Sequence, residues 1–232
     1  MSVILNIETS TRVCSVCLAV DGKPVFIRES FVKNTHAENV TVFSETVLQE
    51  AGFKWNNLDA VAVSKGPGSY TGLRIGVSTA KGFCYALDKP LIAINTLRAM
   101  AAGMIEKTEN PENYLFCPMI DARRMEVYAA VFDAGLHTIK KTSAVIVDEN
   151  SFGDLFPTHK IIFAGDGASK CTEVLGHQEN AIFEKEFHPS AAYLAELAEE
   201  KFLRQEFEDV AYFEPFYLKD FIAGIPRVKG LK

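Results

Sequence analysis

The sequence predicts an α/β protein of two lobes, each a mixed β-sheet with flanking helices. Apolar runs and amphipathic segments over residues 1–108 predict three strands and then alternating helices and strands. A divergent form of this order begins again after the polar, proline-containing stretch at 107–113. Each half also carries a glycine-rich turn directly after a buried strand, at 66–72 and 165–168.

The first half opens with strands predicted at 3–7, 13–20 and 24–31. Asp21-Gly22 between the second and third is typical of a tight hairpin turn. Thr35-x-x-Glu38 matches a capping box and predicts the start of a helix over 35–51. The remaining predictions for this half are a strand at 59–64, a helix at 71–87, a strand at 91–94 and a helix at 96–106.

The second half repeats the opening pattern of apolar strand, acid, polar turn and strand, so Asp121 takes the place of Glu8. A strand is predicted at 138–147, a strand and glycine turn at 161–168, a helix from there to 175 and another from 189 to 202. The predicted domains are therefore an N-terminal lobe at 1–108, a smaller or degenerate C-terminal lobe at 112–220 and a flexible basic tail at 221–232. Two lobes with acid-bearing hairpins and glycine turns are typical of the actin, sugar-kinase and heat-shock-70 (ASKHA) architecture, in which a nucleotide lies between the lobes.

Composition narrows the functional classes. The 232 residues are 48% hydrophobic with a formal charge of −6, which predicts a globular protein without a broad basic surface for nucleic acid. We expect a cytoplasmic protein with no membrane contact, because no signal-like segment or long apolar run occurs. Cys14 and Cys17 would point to opposite faces of a strand, so buried reduced thiols are expected.

The glycine loop after the fourth predicted strand matches none of three catalytic patterns. It lacks the Gly-Lys of a phosphate-binding P-loop, its Gly66-x-Gly68-x-x-x-Gly72 spacing is too long for a dinucleotide fingerprint, and it lacks Gly-x-Ser-x-Gly. A tight turn without chemistry and an anion site at the helix start both stay open. Candidate nucleotide or anion contacts in the two lobes are Glu8, Ser10, Gly66, Gly68, Ser69, Asp121, Gly165 and Gly167.

The predicted helix at 71–87 has apolar residues on two sides, which calls for two packing partners. One is its own sheet, and the other is predicted to be a second protein chain, reached together with the helix at 35–51 packed beside it. Glu38, Arg74 and Lys81 flank the stripes and are expected to tune partner binding. The predicted partner interface is Val42, Thr46, Gly72, Leu73, Ile75, Gly76, Thr79, Ala80 and Phe83. Spacing leaves open the opposite assignment, in which Leu73, Val77 and Ala80 face the partner.

Four segments together resemble the TsaB family, also called YeaZ, across essentially the whole chain. They are Ile-Glu-Thr-Ser at 7–10, Lys-Gly-Pro-Gly-Ser-Tyr-Thr-Gly-Leu-Arg at 65–74, Ile-Asp-Ala-Arg-Arg-Met-Glu-Val-Tyr at 120–128 and Gly-Asp-Gly-Ala at 165–168. The sequence departs from the family at Glu8, where Asp is usual. It also departs at 216–219, where Phe-Tyr-Leu-Lys only approximates Pro-x-Tyr-Leu-Arg.

The resemblance implies a non-catalytic scaffold or activating subunit. It would pair with a TsaD-type catalytic subunit that makes N6-threonylcarbamoyladenosine beside the tRNA anticodon, and a TsaE-type ATPase would join through the complex. ATP and metal would be used by the assembled complex, with none bound tightly by this chain and tRNA contacted only indirectly. Alone, the chain is expected to form a homodimer through the same surface. The catalytic relative carries His-x-x-x-His where this sequence has Thr96 and Met100, so no catalytic or metal-binding residue is predicted.

Two other classes of function compete with this one. An ATP-binding enzyme of the same fold would be a kinase or an M22-type glycoprotease. The sequence lacks His-Glu-x-x-His and a nucleophile elbow, and no placed Asp base for a kinase is identified. A stand-alone tRNA-binding protein is disfavoured by the acidic balance. Metal analysis, ATP turnover by the isolated chain and co-purification with a TsaD-type protein discriminate these alternatives.

Overall fold

The computed structural model describes residues 1–32 and 35–219. The strands are β1 (Val3–Glu8), β2 (Cys14–Val20), β3 (Lys23–Ser30), β4 (Ala60–Gly66), β5 (Leu91–Asn95), β6 (Tyr114–Asp121), β7 (Glu126–Phe132), β8 (Thr138–Ile146), β9 (Lys160–Ala164) and β10 (Ala181–Glu184). The α-helices are α1 (His36–Glu50), α2 (Tyr70–Leu87), α3 (Thr96–Lys107), α4 (Ala168–Leu175) and α5 (Ala195–Leu203). Short 3₁₀ turns lie at Trp55–Asn57, Pro111–Asn113 and Ala191–Leu194. The tail predicted at 221–232 lies outside the described residues.

Both lobes are built on one strand order. The first sheet runs β3-β2-β1-β4-β5 and the second runs β10-β9-β6-β7-β8, which is the same order read from the other edge. In each sheet the first three strands form an antiparallel meander, and the last two add parallel to the first strand. The predicted two-lobed α/β fold and its internal duplication are therefore confirmed.

Alternating residues of the central strand β1 face two different apolar cores. Leu5 and Ile7 pack under α1 and α2, whereas Ile4 packs against α5 on the opposite face. Burial on both faces explains why β1 is apolar at nearly every position. Helices α1 and α2 contact each other, as predicted.

The helices that end the two halves pack across the lobe boundary. Helix α3 contacts strands of both sheets, and its Leu97 and Met104 share a core with Phe116 of the second sheet. Helix α5 belongs to the second half by sequence, yet its Leu197 and Ala198 pack on the first sheet. A division at 108–112 separates the two sheets but cuts across this helix packing.

Local details differ from the sequence predictions at several points, and the helix predicted from 189 to 202 is a 3₁₀ turn at Ala191–Leu194 followed by α5. The capping box at Thr35 does not form, because the Thr35 hydroxyl donates to the Val32 carbonyl oxygen (2.9 Å) instead of capping α1. Strand β10 was not predicted, because it has only four residues, which alternate between partly buried and exposed. The Asp21-Gly22 turn is as predicted, with both residues at positive φ.

Membrane insertion finds no support in the described helices. Across residues 1–32 and 35–219, none combines the length and the apolar composition needed to cross a bilayer.

Candidate functional site

A cleft of about 760 Å³ opens between the two lobes. One wall comes from the β1–β2 hairpin and the start of α2, and the other from the β6–β7 hairpin and the glycine turn after β9. The residues near the C-terminus of the described chain, 216–219, also line it. Charged and hydroxyl groups in its walls include Ser10, Arg12, Ser69, Asp121, Arg123 and Asp166.

The glycine loop of the first lobe is shaped by contact with the β1–β2 hairpin. The Ser69 N–H donates to the Ser10 carbonyl oxygen (2.6 Å), and the Ser69 hydroxyl accepts from the Gly72 N–H, which caps α2. A Cβ on Gly68 would overlap the backbone of Ser10. Gly68 is therefore required by a close approach of two backbone segments.

The small-residue ridge of α2 packs on the same hairpin, which corrects the prediction that it admits a partner helix. A Cβ on Gly72 would overlap the Thr9 carbonyl oxygen, and one on Gly76 would overlap the Thr9 hydroxyl. The Thr9 hydroxyl in turn donates to the Gly72 carbonyl oxygen (2.8 Å). Both glycines thus face the chain's own β1–β2 turn.

Leu73 and Ala80 are likewise covered by their own lobe. Both are buried, and Ala80 and Val77 belong to the core under the first sheet. Of the predicted interface, Gly72, Leu73, Gly76 and Ala80 are thus unavailable to a partner. The alternative in which Leu73, Val77 and Ala80 face outward is wrong, because these residues cover the sheet.

The other five predicted interface residues retain solvent access. Val42 is 57% exposed, and Thr46, Ile75, Thr79 and Phe83 are half-buried. We call these five residues the α1–α2 face. Beside it, the Phe83 ring packs against Trp55 (4.7 Å between centroids), and Trp55 lines a shallow groove of about 410 Å³. Whether a partner covers this face stays a prediction.

Two of the charges expected at its rim have other contacts. Arg74 donates to the Tyr217 hydroxyl (3.4 Å), and Lys81 donates to the Ala211 and Phe213 carbonyl oxygens (3.1 and 3.0 Å). They therefore contact the chain's own C-terminal segment.

The acids that end β1 and β6 make the same turn in different surroundings. Glu8 Oε1 accepts from the Ser10 N–H (2.5 Å), and Asp121 Oδ1 accepts from the Arg123 N–H (2.9 Å). Glu8 is 1% exposed, and burial raises its pKa above the ordinary value. Asp121 is exposed and forms an ion pair with Lys170.

Asp166 joins the Asp121 side of the cleft. Its Oδ1 accepts from the Asp121 N–H (3.0 Å). Burial and, to a lesser extent, the neighbouring Asp121 carboxylate raise the pKa of Asp166. This side of the cleft therefore holds two carboxyl groups, with Arg123 in the same hairpin and Arg12 in the opposite one.

The eight candidate nucleotide or anion contacts separate into two groups. Ser10, Gly68, Ser69 and Asp121 line the cleft, where contact with a ligand stays a prediction. The other four lie beneath the loops and line no part of the cleft, which corrects their assignment: Glu8, Gly66, Gly165 and Gly167. Gly66 and Gly165 have positive φ, and a Cβ on either would collide with neighbouring backbone.

Several residues of the cleft were not among the predicted contacts. Arg12 and Arg123 each follow the acid of a hairpin, and that repetition was a usable signal. The rings of Tyr70 and Tyr217 are in contact, with centroids 4.9 Å apart, although the two residues are far apart in the sequence. Nothing in local spacing indicates that pair.

The positions of the catalytic relative's histidines are occupied by structural residues. The Thr96 hydroxyl accepts from the Gly66 N–H (3.1 Å), and Met100 lies in the core between α3 and the second sheet. Within residues 1–32 and 35–219, no group of three His, Cys, Asp or Glu side chains is placed to hold a metal ion.

The duplicated strand order, the helices between the lobes and the interlobe cleft define an ASKHA-type fold. The family model of TsaD, the tRNA N6-adenosine threonylcarbamoyltransferase, matches residues 30–227, and the chain belongs to that family. Similar proteins include the tRNA threonylcarbamoyladenosine biosynthesis protein TsaB of Haemophilus influenzae, which is 28% identical over 94% of this chain and 93% of that protein. TsaB of Bacillus subtilis is 28% identical over 93% of each chain, and TsaB of Escherichia coli is 33% identical over 63% of each. The resemblance to TsaB is thereby confirmed.

Solved structures agree with this family. YeaZ from Pseudomonas aeruginosa superposes with a TM-score of 0.82 at 25% identity, covering 94% of this chain and all of that one. The ethanolamine utilization protein EutJ from Carboxydothermus hydrogenoformans shares the fold alone, with a TM-score of 0.54 at 10% identity over 87% of this chain and 90% of that one.

Proposed function

We propose that this chain is the non-catalytic, activating subunit that pairs with a TsaD-type catalytic subunit in N6-threonylcarbamoyladenosine modification of tRNA. Similarity to three proteins named for that biosynthesis, over 93–94% of this chain for two of them and 63% for the third, supports the pathway. The observation that carries the division of labour is at Thr96 and Met100. Because one accepts a backbone hydrogen bond and the other fills an apolar core, neither is free to serve as a metal ligand.

The α1–α2 face supports an interaction role. Its apolar side chains lie on the two longest helices of the first lobe, and Val42 is more than half exposed. Exposed apolar groups clustered on one surface favour association with another protein. The face would take the catalytic subunit in the complex and a second copy of this chain in its absence.

We also propose that ATP and metal act at the other subunits and that tRNA contact is indirect. The formal charge of −6 supports the second point, since phosphate backbones are held by clustered Lys and Arg. A TsaE-type ATPase would join through the assembled complex. Elemental analysis that found one zinc or iron ion per purified chain would contradict the first point.

The test is a reconstitution with Val42→Glu and a matched control, Val25→Glu. Val25 lies on strand β3, away from the α1–α2 face, and is 44% exposed. A charge buried in an interface is costly, so Val42→Glu is expected to weaken binding of the TsaD-type subunit at least about tenfold. Val25→Glu should bind as the wild type does. Binding is measured by calorimetry and modification by nucleoside mass spectrometry of tRNA.

The two halves of the proposal fail separately. Modification of tRNA by this chain alone would refute a non-catalytic role. Equal binding by both variants would instead refute the α1–α2 face as the contact surface.

A further inference from the structure

The described residues after α5 follow the first lobe and then reach the second. We call residues 207–219 the C-terminal strap. Its Glu208 N–H donates to the Leu91 carbonyl oxygen (2.9 Å) at the start of β5. Further on, the Phe216 N–H donates to the Lys65 carbonyl oxygen (2.7 Å) at the end of β4. Two backbone hydrogen bonds thus fix its path on the first lobe.

Side chains of α2 hold the strap between these points. The Lys81 ammonium group donates to two strap carbonyl oxygens, those of Ala211 and Phe213. Val210 and Phe213 pack against the core beneath α2. Because both acceptors are backbone carbonyl oxygens, Lys81 holds this part of the strap whatever side chains the strap carries there.

Recognition of a particular side chain occurs at Tyr217. Its ring packs against the Tyr70 ring in a tilted arrangement (4.9 Å between centroids), and its hydroxyl accepts from Arg74. The Arg74 guanidinium lies over the Tyr70 ring (4.3 Å to the centroid). A ring contact and a hydrogen bond therefore converge on Tyr217, and the cation–π contact between Arg74 and Tyr70 holds the two α2 side chains that make them.

The strap then crosses the cleft. Residues 216–219 line it, and Lys219 forms an ion pair with Glu126 of the second lobe. At the first lobe, a Cβ on Gly66 would lie 2.7 Å from the Phe216 carbonyl oxygen. The glycine loop thus leaves room for the strap's own backbone.

We propose that the surface along α2 and the end of β4, at the edge of the interlobe cleft, is a peptide-binding groove whose ligand is the C-terminal strap of the same chain, and that the strap joins the two lobes through the ion pair of Lys219 with Glu126. Tethering gives such a ligand an effective concentration in the millimolar range, so moderate contacts suffice. The groove selects an aromatic residue followed two positions later by a base, as at Tyr217 and Lys219. An external segment of that chemistry enters only by displacing the strap. This inference does not depend on the proposed function.

Hydrogen exchange of the full chain tests the strap, with Tyr217→Ala compared with Tyr212→Ala. Tyr212 is in the same segment but is 84% exposed, so it serves as a matched control. Loss of the ring contact and the hydrogen bond should speed exchange in the 213–219 peptide about tenfold. Tyr212→Ala should change it less than about twofold. Circular dichroism establishes that each variant is folded.

A labelled synthetic peptide of residues 213–219 tests the groove directly by fluorescence anisotropy. It should bind full-length Tyr217→Ala at least about tenfold more tightly than the wild type, whose own strap competes. Equal exchange in the two tyrosine variants, or wild-type strap amides that exchange as fast as free peptide, would overturn the proposal. So would a peptide that binds wild type and variant equally.

Discussion

The two lobes share one topology but differ in what covers it. In the first, helices of 15 and 18 residues, α1 and α2, lie over the sheet. In the second, turns replace the helix between β8 and β9, and α4 has only eight residues. Both retain the acid turn at the end of the first strand, with Glu8 in one lobe and Asp121 in the other.

That difference determines the environment of each acid. Gly72 and Gly76 let α2 lie directly on the β1–β2 turn at Thr9, and Glu8 is sealed beneath. At the β6–β7 turn the shorter helix α4 approaches the hairpin with its N-terminal end, at Gly167 and Lys170, and Asp121 stays exposed in the cleft. The same strand order therefore supports two different surfaces. The first lobe presents a helical face to solvent, and the second lobe presents an exposed hairpin to the cleft.

The largest effect is expected from placing a methyl group between α2 and the hairpin. Gly72→Ala should lower the free energy of unfolding by about 3 kcal/mol, because its Cβ would overlap a backbone carbonyl oxygen that has little freedom to move. Gly82→Ala in the same helix has open space around its Cβ and should raise the free energy of unfolding by about 0.5–1 kcal/mol. Urea denaturation measures both. A Gly72→Ala variant of wild-type stability with weakened partner binding would restore the original assignment of this ridge to the partner.

The two glycines Gly72 and Gly82 also show what the sequence alone does not predict, namely which element lies against each face of α2. The period of apolar residues predicted both stripes of α2, and the repeated strand–acid–turn order predicted the duplicated fold. The spacing of apolar residues shows which side chains share one face of a helix, but it does not show which element packs against that face. The contact of Gly72 with Thr9 joins elements that are far apart in sequence, so a ridge suited to a partner helix and one suited to a hairpin look alike. Tyr217 on Tyr70 was missed for the same reason.

A smaller effect is expected on the pH dependence of stability, and it should differ between Glu8 and Asp166. Because burial raises the pKa of Glu8 in the folded state, its contribution to stability is complete below its ordinary pKa of 4.5 and is lost as pH rises through the folded value. Glu8→Gln should therefore gain on the wild type as pH rises from about 4 to 8. Asp166→Asn should shift in the same direction but less, because Asp166 is only half-buried. Urea denaturation across this pH range measures both differences. A larger gain for Asp166→Asn would show that the second lobe, not the first, seals its acid more completely.

The smallest expected effect concerns how the second lobe holds its hairpin with the short helix α4. Lys170 on α4 donates to the Glu126 carbonyl oxygen (2.7 Å) and pairs with Asp121, so one side chain bridges both ends of the β6–β7 turn. Lys170→Met keeps the apolar stem but removes these contacts, and it should lower the free energy of unfolding by roughly 1 kcal/mol.

The matched control is Lys140→Met, which breaks an exposed ion pair with Asp154 and should lower the free energy of unfolding by less than about 0.5 kcal/mol. Urea denaturation at low and high salt separates the two, since the hydrogen bond to a backbone carbonyl is less sensitive to screening than an exposed ion pair. If Lys170→Met destabilised the chain as much as Gly72→Ala, the two lobes would hold their hairpins equally firmly, and the exposure of Asp121 would need a cause other than the shorter helix α4.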